Sequence, residues 1–197
     1  MIITFNKPVD DFDFIEKTGG KSFINSELWP IDEEGKYLTL VLTLPYTFLK
    51  NALGVETDDN TCISVFSTYS QDKDDYFLDK VIYNIEDEEE LELIKRNTKV
   101  IYHKKAKESI NLSDYLIPAM KIEITNEEDT SNINDKPIFL QEELSFSGYK
   151  YLLQFYAGDF PKGYENILYI SDAIGYLFIK KKLVVNKEAG LYFGQCT

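Results

Sequence analysis

The chain has 197 residues, 44% of them hydrophobic and 14% aromatic, so it can bury roughly 70% of its unfolded surface and lies outside the disordered class. Thirty-four acidic against 21 basic residues leave a net charge of −13, which repels phosphates and anionic membranes and excludes direct nucleic-acid binding. No run approaches eighteen apolar residues, which excludes a membrane-spanning helix, and Met1–Asn6 lacks the basic start and apolar core of a signal peptide.

In chain order, Ile2–Asn6 alternates as a short strand. Asp10 or Asp11 is placed to cap a helix running through Ile15 and Glu16, and Gly19-Gly20 stops it. After Trp29-Pro30 and the turn at Asp32–Gly35, Leu38, Leu40, Leu42 and Leu44 alternate with Thr39, Val41 and Thr43. That period of two predicts a strand with leucine on one face. Pro45 then opens a short helix that Gly54 ends after Leu53.

Thr61–Tyr69 and Asp79–Ile85 read as strands, separated by the acidic loop Asp72–Asp75. Glu86–Asn97 is the best helix: acids crowd its start, Lys95 and Arg96 sit at its end, and Glu92 lies four residues before Arg96. Lys99–His103 and Met120–Thr125 are further strands, and the polar stretch Asn126–Asp135 reads as a mobile connector. Three apolar runs close the chain: Tyr149–Gly158, Ile167–Lys181 and Gly190–Thr197. With so little polar alternation they belong in a sheet covered on both faces.

An internal similarity joins the two ends of the chain. Lys21-Ser22-Phe23-Ile24, Glu27-Leu28 and Gly35-Lys36-Tyr37-Leu38 align with Lys136-Pro137-Ile138-Phe139, Glu143-Leu144 and Gly148-Tyr149-Lys150-Tyr151-Leu152. The predicted class is therefore α+β, mostly antiparallel, with a few short helices. It forms one compact unit over residues 1–197, with half-repeats at about 19–125 and 136–197.

These residues also carry a family resemblance. Gly19-Gly20 followed by Trp29-Pro30, the strand Leu38–Pro45, Leu152-Leu153-Gln154, the turn Asp172–Gly175 before Tyr176–Ile179, and the ending Tyr192–Cys196 resemble the YwqG family of uncharacterised bacterial proteins. The resemblance covers most of the chain and is weakest over residues 55–130. It departs at Leu40-Val41, where the family has a glutamine, and at Ile170-Ser171, where it has tryptophan-glycine. The resemblance implies an α+β fold of two related halves and carries no established activity.

Chemistry-bearing motifs are sparse. His103 is the only histidine, so any Ser–His–Asp or Cys–His arrangement must use it; beside Lys104-Lys105 it reads as a solvated residue at a strand end. Cys62 and Cys196 lack a metal-type spacing and read as buried reduced thiols of a cytoplasmic protein. Asp72-Lys73-Asp74-Asp75 starts like a calcium loop, but no glycine follows and Tyr83 holds the twelfth position. No glycine-rich phosphate loop is present. The expectation is no metal and no cofactor.

Two kinds of function fit these constraints. One is an acidic module for protein binding, an immunity-type neutraliser of a basic toxin. It would use Glu88, Glu89 and Glu90 as its docking face, with Trp29 either a rim anchor or a core residue. The other is an enzyme or small-molecule binder with a cleft between the halves, lined by Gln154, Asp159, Asp172 and Gln195. For the two glutamines, the structural alternative is hydrogen bonding to irregular backbone. The missing catalytic groups favour the first.

Overall fold

The computed structural model describes residues 2–83, 88–125, 132–133, 136–141 and 143–196. In chain order its strands are β1 (Ile2–Pro8), β2 (Lys17–Thr18), β3 (Thr39–Pro45), β4 (Thr61–Ser67), β5 (Thr98–Lys104), β6 (Met120–Thr125), β7 (Asn132–Ile133), β8 (Tyr149–Tyr156), β9 (Ile174–Lys180), β10 (Lys187–Glu188) and β11 (Gly190–Gln195). The α-helices among the described residues are α1 (Tyr46–Leu53) and α2 (Glu88–Asn97).

The strands form a seven-stranded sheet, ordered β1-β6-β2-β3-β4-β5-β10, and a four-stranded sheet, ordered β11-β9-β8-β7. Neighbouring strands in both are antiparallel. The fold is thus α+β and mostly antiparallel, as its alternating apolar segments predict. The three C-terminal apolar runs supply β8, β9 and β11, with β9 paired to both of the others.

The central core lies between the sheets. Phe5, Leu44, Ile63, Val65 and Val100 of the larger sheet share it with Leu153, Phe155, Leu177, Ile179 and Tyr192 of the smaller. A second cluster covers the other face of the small sheet, where Tyr176, Phe178 and Phe193 pack with Tyr83, Ile94 of α2 and Leu144. A third covers the other face of the large sheet, where Leu38, Leu40, Phe66 and Ile101 pack with Ile24 and Trp29. Two-sided burial explains why these strands carry apolar residues on both faces.

A bulge in β3 corrects the expected single leucine face. Leu40 pairs with Phe66 but Leu42 pairs with Val65, which leaves Val41 as the extra residue. One added residue exchanges the two faces of a strand. Leu38 and Leu40 therefore enter the outer cluster, whereas Leu42 and Leu44 enter the central core. A similar shift between Tyr151 and Leu153 in β8 sends Tyr151 outward and Leu153 inward.

Both expected helix ends near Pro45 and Gly54 are present; Gly54 takes a left-handed φ of 59° and its N–H bonds the Leu49 carbonyl. The helix expected after Asp10 is absent. Residues 10–16 instead run irregularly into β2, which pairs with both β3 and β6. Tertiary bonds hold that path: Lys21 N–H donates to Asp11 O, and Gly20 N–H to Ile117 O. The strand expected over Asp79–Ile85 is replaced by a 3₁₀ turn at Leu78–Lys80 and a single parallel bridge from Ile82 to Gly194; residues 84–87 lie outside the described residues. Most of the expected connector Asn126–Asp135 lies outside them too, and within it Asn132–Ile133 pair with β8.

The two sheets differ in strand number and order, and β10, from the C-terminal part of the chain, pairs with β5 of the larger sheet. This architecture does not show two equivalent halves. No helix among the described residues is long and apolar enough to cross a membrane.

Candidate functional site

His103 is not solvated. Its place in β5 sets it against Cys62 of β4, and covered faces leave it, Cys62, Ser64 and Ser22 fully buried. Nδ1 lies 2.9 Å from the Lys104 carbonyl, which can only accept, so the ring proton sits on Nδ1. Nε2 then accepts from the Ser64 hydroxyl at 2.9 Å. The Cys62 sulfur is 3.3 Å from the same nitrogen, and Ser22 Oγ donates onward to Ser64 Oγ at 3.1 Å.

Burial lowers the His103 pKa to about 4, against the opposing pull of the Lys104 carbonyl. Burial likewise pushes the Cys62 thiol up to about 12, outweighing the Ser64 hydrogen bond and the Lys105 charge. The serine and imidazole have the spacing of a nucleophile and its base. They are sealed, however, and the imidazole's second nitrogen is held by a backbone carbonyl rather than a carboxylate. The cluster satisfies buried polar groups across β4 and β5.

Trp29 is a core residue rather than a rim anchor. It is buried, its ring meets Phe66 edge-on at 5.0 Å, and its indole N–H donates to the Leu38 carbonyl at 2.9 Å. Gln154 and Gln195 are fully buried. Gln154 Oε1 accepts from Ile138 N–H at 2.8 Å and Gln195 Oε1 from Leu140 N–H at 3.1 Å; both carbonyls thus hold the irregular segment that covers the small sheet. Asp172 is exposed and accepts from the Tyr156 hydroxyl at 3.1 Å, and Asp159 is exposed beyond the end of β8. The four residues therefore divide between a buried support and an exposed strand end. Cys196 is half-buried and Cys62 buried, and both are free thiols.

Glu88 and Glu89 are exposed on the first turn of α2, and Glu90 is half-buried. This helix is tied to the turn before β3, because Arg96 Nη1 bonds Glu33 Oε1 at 2.8 Å. The next residue, Glu34, is gripped by two lysines, Lys80 at 2.8 Å and Lys36 at 3.0 Å. Their hydrogen bonds, that of Lys80 foremost, lower the Glu34 pKa to about 2.

Behind this turn opens a cavity of about 100 Å³ whose walls include Asp32, Tyr37, Tyr69, Asp75, Asp114 and Tyr115. Three separate loops supply them, which is why no local motif marks the site. The Tyr69 ring meets Tyr115 edge-on at 5.2 Å and stacks on Tyr164 at 5.8 Å. Its hydroxyl donates to Asn166 Oδ1 at 3.0 Å, and burial raises its pKa to about 12. Asp32 is 9% exposed; its Oδ1 accepts the N–H groups of Glu34 and Lys36, both at 2.9 Å. Its Oδ2 has no hydrogen-bond donor among the described residues. The sequence signal, visible only with the loops assembled, is the recurrence of tyrosine beside serine or aspartate at Tyr69-Ser70, Asp75-Tyr76 and Asp114-Tyr115.

No protein-family model matches this sequence, and no curated protein matches it. Glu88, Glu89 and Glu92 of α2, Glu33 and Glu34 of the turn, and Asp72, Asp74 and Asp75 of the loop after β4 are exposed; of these, Glu33 pairs with Arg96, Glu34 with Lys36 and Lys80, and Glu92 with Lys95.

Proposed function

We propose that this protein is an acidic binding module that docks a basic protein, as an immunity-type neutraliser docks a basic toxin. The observation that carries the reading is the density of exposed carboxylates: Glu88 and Glu89 on the first turn of α2 and Asp72, Asp74 and Asp75 on the loop after β4, with the Arg96–Glu33 bond tying the far end of α2 to the turn beside the cavity. Opposite charge gives such pairs fast association and selects against wrong partners. Exposed Tyr37 and Tyr76, 48% and 56% accessible, add aromatic contact area of the kind that anchors interfaces.

Kinship with the YwqG family is part of the same proposal and rests on the order of Gly19-Gly20, Trp29-Pro30, Gln154 and the Asp172–Gly175 turn. A cytoplasmic setting also belongs to it, supported by the two free thiols. An enzyme built on Ser64 and His103 is disfavoured by their complete burial.

The test is affinity capture of the partner from the native host, then calorimetric titration of the purified pair. Glu88→Lys combined with Glu89→Lys is expected to weaken binding by about tenfold or more, roughly 1.4 kcal/mol. Unchanged affinity removes this surface as the docking face.

A further inference from the structure

We propose that the cavity bounded by Asp32, Tyr37, Tyr69, Asp75, Asp114 and Tyr115 is a receptor for a guanidinium group, that of an arginine side chain on the basic partner. The inference rests on the docking reading above and names the chemistry at its centre. A volume of about 100 Å³ far exceeds what one water needs and admits a planar head group. Tyr37, Tyr69 and Tyr115 bound it, and aromatic rings attract cations held within about 6 Å of the centroid.

Charge selects the same ligand. The lysines on the wall, Lys36 and Lys80, both hold Glu34, so neither is an unpaired site for an anion. Asp32, Asp75 and Asp114 remain as carboxylates on the lining. Asp32 is the most telling: it is nine-tenths buried, and its Oδ2 accepts no hydrogen bond among the described residues. A carboxylate oxygen without a protein donor on the cavity wall is open to one from a ligand, and guanidinium supplies several N–H groups in a fixed planar fork. Ammonium offers a point charge without that fork, so arginine is preferred over lysine.

The test is an NMR titration of the full chain, labelled in its tyrosine rings. The probes are N-acetylarginine amide, its neutral isostere N-acetylcitrulline amide, and glucose. Arginine amide is expected to give saturable shifts at Tyr37, Tyr69 and Tyr115 with millimolar affinity, and citrulline amide and glucose to give none. Asp75→Asn, an exposed-loop change, is expected to weaken the arginine probe at least about fivefold with an unaltered melting temperature. This variant keeps the test decisive if Asp32→Asn fails to fold. Equal binding of citrulline amide, or shifts with glucose alone, overturns the assignment to a cation; no saturable shift with arginine amide overturns the site. A silent cavity beside an intact, salt-dependent complex therefore refutes the receptor alone, and probe binding without any complex refutes the docking reading alone.

Discussion

His103 Nε2 lies 2.9 Å from the Ser64 hydroxyl, in a cluster where every side chain is fully buried. An imidazole held neutral in the folded state, at a pKa of about 4, is protonated first in the unfolded chain, at about 6.5. Its contribution to stability is therefore complete above pH 6.5, falls away as the pH drops towards 4, and is flat below. Relative to His103→Gln, the parent protein is expected to lose about 2 kcal/mol between pH 7 and pH 5. Urea unfolding of both proteins at the two pH values checks this; parallel pH dependence contradicts it.

Lys17 gives a case of the same sign at alkaline pH. Its side chain is buried in the large sheet, with Nζ donating to the Asp11 carbonyl at 2.5 Å. Burial lowers its pKa to about 8, against the opposing charges of Asp11 and Asp13. Lysine-specific NMR is expected to find one ammonium titrating near pH 8 while solvated lysines titrate near about 10.4. Because the folded state gives up this proton before the unfolded state does, the Lys17 contribution raises stability as the pH climbs through that interval.

Trp29→Phe separates core from interface. It removes the donor to the Leu38 carbonyl and leaves a buried acceptor unpaired, at a cost of about 2 kcal/mol. Binding of the basic partner is expected to stay unchanged when measured well below the melting temperature. A large loss of affinity at constant stability would return Trp29 to the interface.

Gly19 has a φ of +55°, and a β-carbon there would run into the Ile117 carbonyl. Its own N–H donates to Val41 O, the bulge residue of β3, at 2.9 Å. Gly19→Ala thus meets both a left-handed backbone and a backbone clash, and is expected to cost at least about 2 kcal/mol in chemical denaturation.

Much of this fold is legible from local chemistry. Pro45 and Gly54 bracket α1 because their backbone limits act within one turn, and the alternation in Met120–Thr125 marks β6 for the same reason. The misreadings have long-range causes. Residues 10–16 abandon a helix because their carbonyls are taken from elsewhere, Asp11 O by Lys21 N–H and Glu16 O by Ile122 N–H, while the adjoining Gly19 and Gly20 donate to Val41 O and Ile117 O. The leucine row of β3 divides at Val41 because a bulge is decided by pairing with β4. His103 reads as solvated beside Lys104-Lys105, yet both faces of its strand are covered. The cavity was the least legible feature, since Asp32, Tyr69 and Tyr115 meet only when three loops converge.

The central claim is that the exposed carboxylates of this protein, Glu88 and Glu89 foremost, capture a basic protein. Stopped-flow association with the captured partner at low and high salt tests it most directly. The account predicts that the rate constant falls at least about tenfold between 50 and 300 mM salt, and that Glu88→Lys with Glu89→Lys removes most of that dependence. A rate indifferent to salt and to both reversals would contradict it.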